Sequence, residues 1–185
     1  MRAWPNLASL LVLTSIISMA QHSGSSAKGG SAMAFTLTTS AFAPGAEIPN
    51  QYTCKGEDIS PALRWSGAPA KTASYAIIMD DPDAPAGVWV HWVLWNVAPS
   101  TTSLPEGVPK NGQLDDGSQH GRNSFGKIGY NGPCPPPGQT HRYFFRLYAL
   151  DTKLNLSADA DRSQLDAAMK GHVLAQTEYM GSFHR

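Results

Sequence analysis

Two short stretches of this chain carry titratable side chains where proline constrains the backbone. The first is Asp80-Asp81-Pro82-Asp83-Ala84-Pro85, followed from Val88 by an apolar run containing His91. Pro82 and Pro85 fix backbone angles, so the stretch forms a rigid turn able to hold a carboxylate in one place. A histidine in an apolar strand needs a hydrogen-bond partner, and both a satisfied core imidazole and a site residue meet that need. The second stretch runs from Gly132 through Pro133, Cys134, Pro135 and Pro136 to His141, Arg142 and Tyr143. Successive strand residues alternate faces, so His141 and Tyr143 share one face and Arg142 takes the other. Arg142 is expected to be a structural tie to a carboxylate or to carbonyls. If His141 faces the same mouth as His91 and Asp81, one cavity holds two imidazoles, a carboxylate and a phenol. Protonated imidazoles there would donate N–H groups to a phosphate oxygen, and an adjacent Asp would orient an imidazole or raise its pKa. The chemistry expected is weak anion binding that tightens as the histidines protonate.

The elements that must position these groups read as β. Phe35 to Phe42 is apolar or Thr and ends at a Pro44-Gly45 turn; Ile48 to Thr53 and Pro61 to Trp65 are further short segments. Ser74 to Asp80 is a β-rich apolar run bounded by turn residues, a buried strand. Val88 to Val97 is the strongest strand signal. Strict alternation places Val88, Val90, Trp92, Leu94 and Asn96 on one face and Trp89, His91, Val93, Trp95 and Val97 on the other. With both faces apolar, the strand is central and covered on both sides. Residues 98–141 form a long Gly-, Pro- and Asn-rich loop region, and such regions are usually functional. Tyr143 to Leu150 is another strand. Ser157 to Asp161 marks a helix start, and 162–178 carry apolar residues at helical spacing, which predicts a pair of helices broken near Gly171.

Composition narrows the function further. The chain has 185 residues, with 14 Lys+Arg against 14 Asp+Glu, 15% charged and 42% hydrophobic residues, 17 Gly and 14 Pro. Zero net charge excludes an electrostatic nucleic-acid binder, and the apolar content excludes disorder. Low charge with abundant turn residues favours a mostly β domain. Residues 1–20 read as a secretory signal peptide, with Arg2 ahead of the uncharged stretch Leu7–Met19, which is short for a membrane span. Residues 21–34 are a Gly/Ser/Ala-rich tether, and 35–185 are the folded domain. The mature chain is expected to be secreted or periplasmic, with no integral span. In an exported protein the two cysteines, Cys54 and Cys134, favour a bridge over free thiols, although sequence alone leaves their separation open. No CxxC suggests zinc, no phosphate-cradling glycine loop is present, and neither GxSxG nor HExxH occurs. No enzyme, resident metal or cofactor is expected.

DPDAP, then WVHW, then GPCPPPGQTHRY resemble the two signature regions of the phosphatidylethanolamine-binding proteins, and within them the bacterial and archaeal Raf-kinase-inhibitor-like branch. The resemblance extends through YTCKGEDISPALRWSGAP, GRNSFGKIGYNGPCPP and GHVLA, in matching order over residues 34–185. It implies a Greek-key β-sandwich with short C-terminal helices and a small anion pocket. That pocket would take phosphate or a phosphorylated headgroup and be lined by Asp81, Asp83, His91, His141 and Tyr143. Gly132, Pro133, Cys134 and Pro136 would form its wall, Trp89 would close it, and Arg142 would be structural. Exported members of the branch often carry cysteines at both positions, which implies a Cys54–Cys134 disulfide. Two other functions stay open: inhibition of an extracellular protease or other protein partner, and a metal-assisted hydrolase.

Overall fold

The computed structural model describes residues 33–185; the expected leader and nearly all of the tether lie outside them. Two antiparallel sheets face each other. The smaller is ordered β1 (Thr36–Thr38), β2 (Leu63–Ser66), β5 (Ser103–Leu104). The larger is ordered β6 (Gln119–His120), β4 (Trp89–Val97), β3 (Ser74–Asp81), β7 (Thr140–Leu150), β8 (Val173–His184). Among the described residues a single α-helix, α1 (Arg162–Met169), follows β7. The chain is therefore mainly β, a sandwich, as its turn-rich composition and the resemblance imply.

The large sheet is buried on both faces because its central strands are apolar on both. Tyr75, Ile77 and Met79 of β3 join Tyr143, Phe145, Leu147 and Ala149 of β7 against Leu37, Leu63, Trp65 and Leu104 of the small sheet. Ala76 and Ile78 turn the other way, onto Leu154, Ala160, Leu165 and Met169. Asp161 starts α1 with a reciprocal capping box to Gln164, so the helix begins where the acidic run predicts.

Two local expectations change. Residues 48–53 contain a 3-10 turn, Asn50–Tyr52, rather than a strand. The second half of the expected helix pair is strand β8, which pairs with β7 from Thr140↔His184 to Leu150↔Val173. Val173, part of the expected helical stripe with His172 and Ala175, is exposed, as is Leu174, whereas Tyr179, Gly181 and Phe183 are buried with a period of two. That periodicity belongs to a strand with one covered face.

Strict alternation also fails in β4. Asp80 pairs with Val90 and Met79 with Trp92, so His91 is an extra residue with no partner on β3. The bulge changes parity. Val90, Val93 and Trp95 consequently share the helix-side face, while Trp92, Leu94 and Val97 face the small sheet. A second irregularity sits at Asn96, whose backbone is left-handed at φ 59°. Its side chain donates to Leu154 O at 2.9 Å and accepts from Leu154 N at 2.8 Å, tying the end of β4 to the segment before α1.

Asn96→Ala removes both hydrogen bonds and leaves a residue less tolerant of positive φ. A loss of about 2–3 kcal/mol is expected in urea unfolding, with Asn96→Gly losing less of the backbone contribution.

Candidate functional site

The bulge decides what the mouth of the sandwich contains. His91 is 2% exposed, and its ring meets Tyr143 at 5.2 Å and Phe125 at 5.3 Å between centroids, both edge-on. Its Nδ1 lies 2.7 Å from Asn131 O and 3.1 Å from Gly132 O. Carbonyls only accept, so Nδ1 carries a proton, and a neutral ring is left with a bare Nε2. Burial is the main influence on this imidazole and pushes its pKa below the ordinary 6.5, against the raising effect of those carbonyls and of Asp81.

His141 enters from the start of strand β7 on the same side. Its Nδ1 donates to Asp81 Oδ2 at 2.7 Å, with both side chains 4% exposed. Its Nε2 lies 3.0 Å from Oε1 of Gln139, an amide that can turn to accept from a protonated ring or donate to a neutral one. Asp81 closes its own turn by accepting from Asp83 N at 2.8 Å, which is how the Pro-bounded stretch fixes the carboxylate. Tyr143 is fully buried below. Burial, and then the Asp81 charge, raise its pKa, and its hydroxyl meets no partner in hydrogen-bond geometry among the described residues.

Asp81, His91 and His141 open into one cavity of about 240 Å³, walled by Trp89, Phe125, Pro85, Cys134, Pro135 and Pro136. Among the described residues, no Lys or Arg lines it. Of the residues named from sequence, Asp81, Trp89, His91, Cys134, Pro136 and His141 are brought together there. Four are not. Asp83 is occupied by Arg142, which grips it through Nε at 2.9 Å, Nη2 at 2.7 Å and its backbone N at 2.9 Å. That grip holds the Asp83 carboxyl at about 2, below its ordinary 3.8, and makes Arg142 the structural tie its face suggests. Gly132 and Pro133 stand behind the wall, and Tyr143 lies beneath it. Gly132 is required there, since a Cβ would fall 2.0 Å from Tyr52 O. Cys54 and Cys134 are bridged across 80 residues of chain, with Cα atoms 5.4 Å apart, and the bridge anchors the wall.

Phe125, Gln139 and the proline-alanine rim escaped the sequence reading. Phe125 lies inside the quoted GRNSFGKIGY run, but an aromatic in a glycine-rich loop carries no periodicity to mark it. A larger open cleft, about 520 Å³, lies on the helix-side face between Val90, Arg122 and Arg162. Its cations are already answered: Arg122 by Asp159, and Arg162 by Asp80 and Asp166. The smaller cavity holds the unspent chemistry. Among the described residues, no group of three or more His, Cys, Asp or Glu side chains is arranged to hold a metal ion, and no helix is long and apolar enough to cross a membrane.

Comparison with known proteins agrees with this architecture. The family model described as phosphatidylethanolamine-binding protein matches residues 38–184. The chain belongs to the phosphatidylethanolamine-binding protein family. A UPF0098 protein of Methanothermobacter thermautotrophicus is 52% identical over 80% of this chain and 98% of its own length. Another from Pyrococcus horikoshii is 47% identical over 85% of this chain and 80% of its own. Among solved structures, a family homologue from Chlamydia trachomatis aligns with a TM-score of 0.75 at 39% identity, covering 82% of this chain and 98% of that one. E. coli YbcL, described as a new member of the mammalian PEBP family, aligns at 0.77 with 31% identity and the same coverage.

The buried, neutral His91 makes stability depend on pH with a definite sign. Its folded pKa lies below the unfolded 6.5, so the stability it contributes is present above 6.5 and is lost as pH falls through the folded value. Thermal melts should therefore show a smaller fall in Tm between about pH 7.5 and about pH 5 for His91→Asn, which keeps a donor for the carbonyls, than for the parent.

Proposed function

We propose that this family member is an exported protein that binds a small anion or phosphorylated headgroup in the two-histidine cavity, without turning it over. The observation that carries the reading is the meeting of His91 and the Asp81–His141 pair in one cavity of about 240 Å³. That volume suits a phosphate with a short substituent. With no Lys or Arg at the wall and a carboxylate at the base, the resting cavity holds little positive charge for an anion. Protons must supply it. A protonated His91 keeps Nδ1–H on the carbonyls and offers Nε2–H to an oxygen of the ligand. His141, whose Nδ1–H is held by Asp81, offers Nε2–H as a second donor when its ring is protonated and Gln139 turns away. The apolar stretch near the start of the sequence and the Cys54–Cys134 bridge, of a kind most common in oxidising compartments, support export.

A second reading, modulation of an extracellular protein, draws on the exposed Val88 and Phe125. A partner captured equally well by a His91→Asn/His141→Asn double variant would favour it.

Phosphoethanolamine titration followed through the histidine ring signals by NMR tests the first reading. The signals of His91 and His141 should shift together and saturate. Affinity should rise as pH falls through the His91 pKa of the complex and level off below that of the free protein, gaining roughly tenfold per proton taken up per unit of pH in between. Affinity that does not change between mildly acidic and neutral pH would contradict it.

A further inference from the structure

The carbonyls that hold His91 are themselves held, from the side away from the cavity. Asp58 Oδ1 accepts from Gly132 N at 2.6 Å, and Asp58 Oδ2 accepts from Asn131 Nδ2 at 3.0 Å and from Lys110 Nζ at 2.9 Å. Gly132 N and Asn131 O belong to the same peptide group. A continuous chain therefore runs from carboxylate to peptide N–H, through the peptide to its C=O, and on to the Nδ1–H of His91. A negative charge on the N–H side of a peptide polarises it and makes the oxygen a stronger acceptor. Asp58 also takes an uncommon backbone conformation for a residue with a side chain, φ 57°. The segment is stitched in place beside it: Cys54 N donates to Pro133 O at 3.1 Å, Tyr130 Oη donates to Tyr52 O at 2.7 Å, and the disulfide closes the far end. Asn131 N returns to His91 O at 3.0 Å, so the histidine is clipped at both backbone and ring.

We infer that Asp58 is a positioning residue of the cavity: acting through the Asn131–Gly132 peptide, it fixes His91 as the Nδ1–H tautomer and so reserves Nε2 for the ligand. The part played by the ligand rests on the anion-binding reading; the tautomer does not. Direct charge acts in the same direction, since Asp58 is among the groups that raise the proton affinity of His91. The other titratable groups around His91 are Asp81 of β3 and His141 and Tyr143 of β7, with Lys110 opposing Asp58 from the loop before β6.

Two variants with opposite expected signs test the inference. Asp58→Asn keeps the shape and tolerates positive φ but removes the charge. In the ligand-free protein, nitrogen-detected NMR should show the His91 titration moving to lower pH and Nδ1 losing its full protonation in the neutral ring. Phosphate binding at mildly acidic pH should weaken roughly tenfold, the low end of the loss seen when groups that orient metal-ligating histidines are removed. Lys110→Met leaves the carboxylate to the loop alone, so the His91 titration should move to higher pH with the tautomer unchanged. If Asp58→Asn loosens the fold, the sign of the Lys110→Met shift decides. A His91 tautomer and titration unmoved in both folded variants would overturn the inference. Absence of phosphate binding in the parent would instead overturn the function reading and leave the ring measurements to judge Asp58.

Discussion

The cavity reaches its composition because β4 carries one residue more than β3 can pair, and that residue is His91. Without the bulge, regular alternation would give one face to Val90, Trp92 and Leu94 and the other to His91, Val93 and Trp95. The extra residue lets Val90, Val93 and Trp95 cover the helix side while His91 lies with Tyr143 on the side of Asp81 and His141. One backbone irregularity thus satisfies two demands, a covered outer face and an inward-facing imidazole. Bulges commonly re-aim a side chain beside a site.

β3 makes the matching contribution through two adjacent carboxylates that leave the strand on opposite sides. Asp81 orients His141 in the cavity. Asp80, equally buried, is held by Arg146 and Arg162 at 3.1 and 2.6 Å beneath α1. Each carboxylate has a charge-capable partner, as burial requires. The difference in partner sets the difference in use. Permanent guanidinium charges make Asp80 a fixed tie between the sheet and α1, whereas Asp81 and its imidazole partner His141 line the cavity.

Much of this was legible in the sequence because the governing signals are local. Proline around Asp81, the His141-Arg142-Tyr143 alternation and the apolar runs of β3 and β4 each dictate one element and its faces. The disulfide and the Asp83–Arg142 tie follow types of interaction the residues suggest, although Asp83 was also expected at the cavity. What stayed hidden depends on long-range registration. The β4 bulge is set by pairing to β3, and β8 is a strand because β7 offers it an edge, against an ambiguous apolar spacing at 172–175. Asp58, Phe125 and Gln139 become informative only when three loops meet around His91.

On the proposed function, an anion enters this cavity together with a proton. Calorimetric titration of the protein with inorganic phosphate near neutral pH, repeated in buffers of different ionisation enthalpy, measures that proton directly. The expected result is an observed enthalpy that varies with the buffer in the sense of net proton uptake on forming the complex, with that dependence reduced in His91→Asn. Binding whose enthalpy is the same in every buffer would contradict it.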